Sequence, residues 1–116
     1  MCNNQAIYQA YQAKNENRKV QVLACATVAK VLPDDNKGSR HQRFLIKIDN
    51  YPKMSVLVAH NIDLAPKVKN IQPNTPIKIY GEYIYNEKGG VLHWTHQDPT
   101  SRHQHGWIEY DGERYR

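Results

Sequence analysis

The chain has 116 residues, 40% of them hydrophobic, and a formal net charge of +5 at neutral pH. This length corresponds to one domain with a modest core, and no apolar run approaches the roughly 20 residues that a membrane-spanning helix requires. The positive charge is spread along the chain, and it favours acidic partners such as nucleic acid, an anionic membrane surface or acidic glycans. Solubility alone is the alternative explanation.

The N-terminal part predicts a short helix over residues 3–15, in which apolar side chains recur at helical spacing. A charged, Asn-rich segment, 14–19, leads into the rest of the chain. We therefore divide the protein into an N-terminal helix with its linker, 1–19, and a β-domain, 20–116. The first predicted strand, 20–32, has apolar residues at both odd and even positions, so it is either buried on both faces or bent by a bulge.

Two further strands and a short helix are predicted in the middle of the chain. Apolar and polar residues alternate with period two over 41–49 and again over 54–60, and a turn joins these strands. A short helical segment is predicted from Asp63, as its N-cap, to about Asn70.

The stretch 77–98 predicts a β-hairpin, around which the rest of the chain is arranged. Its first strand, 77–85, alternates with period two, and the paired glycines of segment 86–90 favour a turn. The return strand, 91–97, brings two histidines and a tryptophan beside the acidic and aromatic residues of the first strand.

A second hairpin ends the chain, since short β-like runs flank Asp111-Gly112, a dipeptide typical of tight turns. Together the elements predict a mainly β fold. It is a single five-stranded β-barrel like that of oligonucleotide/oligosaccharide-binding (OB) proteins, with a short N-terminal helix, a short helix between strands three and four, and a C-terminal hairpin. A small open barrel of another topology is the alternative.

The two cysteines differ in their surroundings. Cys25 lies in an apolar, strand-like run and is most simply a buried hydrophobe. Cys2 precedes polar residues, as in a bacterial lipoprotein whose signal peptide has been replaced by a start Met, and we predict it as a lipid-attachment site. A membrane contact is then expected only through this anchor. A native Met-Cys start and a Cys2–Cys25 disulfide are the alternatives.

Several segments together resemble a small bacterial family catalogued only as a domain of unknown function. They are LPDDNKGSRHQRF (32–44), AHNIDLAP (59–66), GEYIYNEKGGVLHWTHQDP (81–99) and the tail, RHQHGW with the closing DGERYR. The resemblance covers roughly residues 20–116. It implies an exported protein, in the bacterial periplasm or secreted, and it supports the prediction for Cys2. It implies no activity, so the function is argued from the residues.

The favoured function is a non-enzymatic module that binds single- or double-stranded nucleic acid without sequence preference. Ligands of OB barrels lie across strands two and three and the flanking loops. Cations neutralise phosphates there, and aromatic rings stack on bases. The predicted contacts are Lys37, Arg40, Arg43, Lys47, Lys53 and Lys88 for phosphate, and Tyr51, Tyr83 and Trp94 for stacking. Packing in the core or at the barrel rim is the alternative for Tyr83 and Trp94.

The first alternative function is a metal-assisted phosphodiesterase or nuclease with a divalent metal as cofactor. Its candidate catalytic residues are His60, Glu82 and His96, with arginines against phosphate, and His96 and Asp98 are candidate metal ligands on one strand face. No spacing of the 6 histidines matches a zinc motif. The favoured prediction therefore assigns no firm catalytic residue, metal or cofactor. A protein-interaction module of the cell envelope is the second alternative.

Overall fold

The computed structural model describes residues 1–116, and the fold is mainly β. One helix precedes seven strands: α1 Asn4–Ala13, β1 Lys19–Val31, β2 His41–Ile48, β3 Tyr51–Asn61, β4 Pro76–Ile84, β5 Val91–His93, β6 Trp107–Tyr110 and β7 Glu113–Tyr115. The predicted N-terminal helix and C-terminal hairpin are confirmed. No helix has the length and apolar character needed to cross a membrane.

The first five strands form a closed barrel, as the sequence predicts. Their order is β1-β2-β3-β5-β4, and β4 returns to pair with β1 over Lys19–Thr27. The pairing of β3 with β5 is parallel, whereas the other pairings are antiparallel. The second part of β1 pairs with β2, and the register shifts between Val28 and Lys30. The predicted bulge in the first strand is therefore confirmed, and it lets one strand serve both seams of the barrel.

The core fills the barrel interior because successive side chains of a strand point to opposite faces. The inward positions of each strand are apolar, and the largest fully buried apolar side chains include Phe44, Ile46, Ile79, Tyr83, Leu92 and Ile108. The hydroxyl of Tyr83 donates to the Gly89 carbonyl at 2.8 Å. A buried phenol is thereby satisfied within the turn that precedes β5.

The N-terminal helix is fixed to the barrel by side-chain hydrogen bonds and a disulfide. Asn4 donates from Nδ2 to the carbonyls of Cys25 and Asp49, at 2.9 and 3.0 Å, and its Oδ1 accepts from the Cys25 amide. Ile7 of the same helix is fully buried. Cys2 is disulfide-bonded to Cys25. A disulfide and a thioether-linked lipid would use the same sulfur, and lipid attachment at Cys2 stays a prediction.

The segment between β3 and β4 is irregular, and the helix predicted at 63–70 is wrong. Gln42 of β2 satisfies the backbone there, donating to the Val68 carbonyl at 3.0 Å and accepting from the Val68 amide at 2.9 Å. The Asp63 carboxylate, predicted as a helix cap, accepts from the amide and Nε of Arg40 instead. Tertiary contacts thus replace the hydrogen bonds that a helix would supply.

Candidate acid–base site and basic face

Glu82 lies at the centre of a buried polar cluster on the outside of the barrel. Its neighbours in β4 face the core, so its own side chain points outward. Its direct cross-strand partners are Gln21 of β1 and His93 of β5, which therefore lie on the same outer face. Glu82 is only 8% exposed, because residues of the 94–106 segment fold over it.

One carboxylate oxygen of Glu82 is held by His103. The Nε2 of His103 donates to Glu82 Oε2 at 2.6 Å, and its Nδ1 donates to the Gln104 carbonyl at 2.8 Å. Burial lowers the pKa of His103, but these two hydrogen bonds and the negative charges of Glu82 and Asp98 raise it overall. His103 is therefore stabilised as an imidazolium with both nitrogens in use.

The other carboxylate oxygen of Glu82 faces His93. The Nε2 of His93 lies 3.2 Å from Glu82 Oε1, yet the contact lacks hydrogen-bond geometry and the nitrogen is buried without a partner. Burial lowers the pKa of His93 below its ordinary value, although the charge of Glu82 acts in the opposite direction. Its side chain is 31% exposed. His93 is thus a neutral imidazole that reaches solvent.

Unpartnered nitrogens are concentrated around this carboxylate. The buried side-chain nitrogens of the protein that lack a hydrogen-bond partner are Gln21 Nε2, His93 Nε2 and Trp94 Nε1. Each such group costs about 1–3 kcal/mol when it is left unsatisfied. Folded proteins satisfy most buried polar groups, so three exceptions near one carboxylate distinguish this part of the molecule.

Trp94 covers the cluster and is already stacked within the protein. Its ring lies on His103 with centroids 3.9 Å apart, and its centroid is 5.0 Å from that of His96. It adopts a φ of 55°, which ends β5 at His93, short of the predicted 91–97. The face that was predicted to stack on a base is thus occupied by imidazoles.

Asp98 organises the segment that covers Glu82. Its carboxylate accepts from the amide and hydroxyl of Thr100 and from the amides of His103 and Arg102, at 2.7–3.0 Å. The backbone hydrogen bonds from Thr100 and His103 are the main cause of its low pKa, about 2. His96, its predicted partner as a metal ligand, places Nδ1 2.7 Å from the Gln97 carbonyl.

No group of three or more His, Cys, Asp or Glu side chains is arranged to hold a metal ion. Glu82, His93 and His103 lie close together, and the two imidazoles are next to different oxygens of the one carboxylate, at 3.2 and 2.6 Å.

His60 occupies a different environment, inside the end of the barrel. It is fully buried, its Nε2 donates to the Pro66 carbonyl at 2.9 Å, and its Nδ1 lies 2.6 Å from the hydroxyl of Thr95. Burial is the main cause that lowers its pKa to about 4. His60 is thus a neutral histidine that ties two loops to the barrel.

The candidate catalytic residues do not converge in one pocket. His60 faces the interior, whereas Glu82 faces outward beneath the 94–106 segment. Arg43 lies on the outer face of β2 and donates from Nε to the Pro33 carbonyl at 3.1 Å. The partners of Glu82 are His93 and His103, which the sequence did not assign to it.

A basic face lies on the outside of β1, β2 and β3. Lys30, Arg43 and Lys47 surround Leu45, which pairs directly with Leu57 of β3. None of the three cations forms an ion pair with a carboxylate. Lys30 was not predicted, because the bulge in β1 changes which residues of that strand point outward. We call these five residues the basic face.

The other predicted contacts are scattered. Lys37, Lys53 and Lys88 are exposed, Arg40 is ion-paired with Asp63 at 2.7 Å, and Tyr51 stacks on Tyr8 with centroids 4.5 Å apart. Tyr83 is fully buried in the core, so its prediction as a stacking face is wrong. Its parity with Ile77 and Ile79 was the signal that could have placed it inside.

Comparison with known proteins gives one match. A family model described as a protein of unknown function, DUF3465, matches the chain over residues 1–116. The searches of curated proteins and of solved structures found no match.

Proposed function

The chain belongs to the DUF3465 family of proteins of unknown function, and we propose that it is an exported module that binds nucleic acid through the basic face. The proposal treats the barrel as an OB-fold, a reading supported by the five strands, the long bent first strand and the parallel pairing of β3 with β5. In OB-folds, strands two and three form the usual surface for oligonucleotides.

The observation that carries the proposal is the set of unpaired cations on this surface. Lys30, Arg43 and Lys47 lie around an apolar pair of leucines and have no carboxylate partner. Such a face attracts the phosphate backbone and leaves the sugars an apolar surface to contact. It carries no aromatic ring, so the expected binding is electrostatic and tolerant of sequence.

The test compares two double variants that change the net charge equally. Lys30→Glu with Lys47→Glu alters the basic face, and Lys14→Glu with Lys69→Glu alters exposed lysines elsewhere. We expect the first to weaken binding of single-stranded DNA and RNA at least tenfold, because two phosphate contacts become repulsive. The slope of log affinity against log salt should fall by roughly 1.5.

The control double variant should change the affinity less than threefold. Equal losses in both variants would show that only net charge matters, and salt-independent binding would remove the electrostatic argument. No binding at all would favour a protein-interaction module of the cell envelope. A metal-assisted nuclease built on His60, Glu82 and His96 is not favoured, because these side chains point to different parts of the molecule.

The Cys2–Cys25 disulfide supports export, since disulfides persist in the periplasm and outside the cell. Lipid attachment is the alternative modification of the Cys2 sulfur. Mass spectrometry of the N-terminal peptide, isolated without reductant from the native host, distinguishes the two. A peptide cross-linked to the one that contains Cys25 supports the disulfide, and a diacylglyceryl mass on Cys2 contradicts it.

A further inference from the structure

We propose that the cluster of Gln21, Glu82, His93, Trp94 and His103, called here the Glu82 cluster, cleaves RNA by transphosphorylation with His93 as the general base. The inference rests on the proposed nucleic-acid binding and adds a substrate class and a reaction. The carrying observation is an imidazole nitrogen 3.2 Å from a carboxylate oxygen, together with two unpartnered donors on neighbouring residues.

His93 lies beside a carboxylate that is fixed in place. Its Nε2 is 3.2 Å from Glu82 Oε1, without a hydrogen bond, and Nδ1 remains for an incoming proton. His103 holds the other carboxylate oxygen and fixes the position of Glu82. The negative charge of a nearby carboxylate stabilises the protonated form of an imidazole, and such pairs recur where proteins activate a hydroxyl.

Two unpartnered donors belong to the residue that pairs with Glu82 and to the residue that follows His93, and N–H donors of this kind suit the oxygens of a phosphate. Gln21 Nε2 and Trp94 Nε1 are buried N–H donors without acceptors. Lys19 lies on the outer face of β1, opposite Ile84, and its charge acts on His93. Donors and a cation that are fixed before the substrate arrives stabilise the negative charge that develops on phosphoryl oxygens.

The Glu82 cluster is continuous with the basic face. Leu57 of the basic face pairs with Val91 of β5, and His93 follows two residues further along that strand on the same side. This separation is about 7 Å along the strand. A strand held at the basic face therefore extends naturally across Val91 to His93.

The class of substrate follows from the nature of the base. An imidazole is well suited to take a proton from a hydroxyl that the substrate itself holds beside the phosphorus, where proximity strongly favours attack. RNA carries such a hydroxyl at the 2′ position, and DNA does not. RNA is therefore the expected substrate.

The reaction balances without a co-reactant other than water. His93 Nδ1 takes the 2′-hydroxyl proton, the 2′-oxygen forms a bond to the adjacent phosphorus, and the bond from phosphorus to the 5′-oxygen breaks. The 5′-oxygen takes a proton from water, and His93 returns its proton to the solvent. The products are a 2′,3′-cyclic phosphate and a 5′-hydroxyl end, and nothing is oxidised or reduced.

The test incubates the full-length, disulfide-bonded protein with a labelled RNA oligonucleotide and its DNA counterpart in the presence of EDTA. We expect cleavage of RNA only, with 2′,3′-cyclic phosphate ends identified by mass spectrometry. A single 2′-O-methyl group at the cleaved step should block the reaction there. Cleavage of the DNA at a similar rate, or 3′-hydroxyl products, would overturn the mechanism.

Matched variants assign the base. His93→Gln should lower the rate at least 100-fold, whereas Lys69→Gln, an exposed residue away from the Glu82 cluster, should keep it within twofold and controls for contaminating nucleases. Trp94→Phe, which retains an aromatic ring and removes one donor, should lower the rate three- to tenfold. If His93→Gln melts at the wild-type temperature and still cleaves, the assignment is wrong; if it fails to fold, the Trp94→Phe result decides.

The pH profile separates a base from a structural residue. Burial lowers the pKa of His93, the charges of Lys19, His103 and His41 act in the same direction, and Glu82 raises it. The acid limb of kcat/KM should therefore have its midpoint below 6.5. Glu82→Gln removes the group that raises the pKa, so it should move the midpoint lower. An unchanged midpoint would contradict the effect of the Glu82 charge on His93.

Binding and cleavage fail in different ways. Salt-dependent RNA binding without cleavage would overturn this inference and leave the binding function intact. The absence of both would overturn the two together. Cleavage that survives the Lys30→Glu, Lys47→Glu change at saturating RNA would support the site and show that the basic face contributes to KM rather than to kcat.

Discussion

His60 and His93 are both partly or fully buried histidines whose pKa is lowered by burial, yet their surroundings differ in one decisive respect. Inside the barrel, His60 uses both ring nitrogens, on Pro66 and Thr95. On the outer face, His93 has a carboxylate beside one nitrogen and no hydrogen-bond partner for it. His60, with both nitrogens satisfied, stabilises the fold, whereas the hydrogen-bonding capacity of His93 Nε2 is unused.

The largest effect expected from this comparison is acid destabilisation through His60. The unfolded chain binds a proton near pH 6.5 and the folded protein only near 4, so the unfolded state binds more protons between these values. Stability contributed by neutral His60 is therefore present at pH 7 and is lost as the pH falls. The loss by pH 4 is about 3 kcal/mol.

Chemical denaturation at a series of pH values measures it, and His60→Gln should reduce the difference between pH 7 and pH 4. His103→Gln is the control of opposite sign. The pKa of His103 is raised, so its contribution is present at low pH and is lost as the pH rises through the folded-state value. A His60→Gln protein with wild-type acid sensitivity would contradict the assignment.

An intermediate effect is expected at Thr95. Thr95→Val keeps the shape of the side chain but removes the hydroxyl that meets His60 Nδ1 at 2.6 Å. The free energy of unfolding should fall by about 1–3 kcal/mol, because a buried nitrogen loses its partner. Thr27→Val, which removes an exposed hydrogen bond to Asp49, should change it by less than about 0.5 kcal/mol. Equal losses of stability in Thr95→Val and Thr27→Val would contradict the distinction between a buried and an exposed hydrogen bond.

The smallest effect on stability is expected at Glu82, although its substitution changes the charge at the centre of the Glu82 cluster. Glu82→Gln removes the negative charge that raises the pKa of His103, so that pKa should move down. We expect the free energy of unfolding to change by about 1 kcal/mol or less, because the glutamine amide oxygen can still accept the hydrogen bond from His103. Titration of the histidine ring signals by NMR measures the shift, and an unaltered His103 pKa would show that Glu82 does not hold it.

Local patterns in the sequence predicted most of the fold. Period-two alternation identified the strands, the double parity of β1 indicated its bulge, and Asp111-Gly112 marked the last turn. These features depend on residues that are neighbours in sequence, so they can be predicted without the tertiary structure. The helix predicted at 63–70 was wrong because the backbone at Val68 is satisfied by Gln42, which lies 26 residues away in sequence.

The candidate site was predicted only in part for the same physical reason. The alternation of apolar and polar residues and the glycines of the turn predict the hairpin, which places Glu82 and His93 on paired strands. His103 reaches Glu82 from an irregular segment whose path is set by the hydrogen bonds to Asp98. Loop geometry of this kind has no periodic signal, so the third member of the arrangement emerged only from the structure.

The double use of β1, which pairs with β4 by one part and with β2 by the other, has a kinetic consequence. The hairpin of β2 and β3 joins neighbours in sequence, but the barrel closes only when residues near 20 meet residues near 83. Contacts this distant in sequence form after a large loss of chain entropy, and folds dominated by them reach the native state in milliseconds to seconds. Closure of this seam is therefore expected to limit the rate of folding, and substitutions along it should slow refolding more than substitutions in the β2–β3 hairpin.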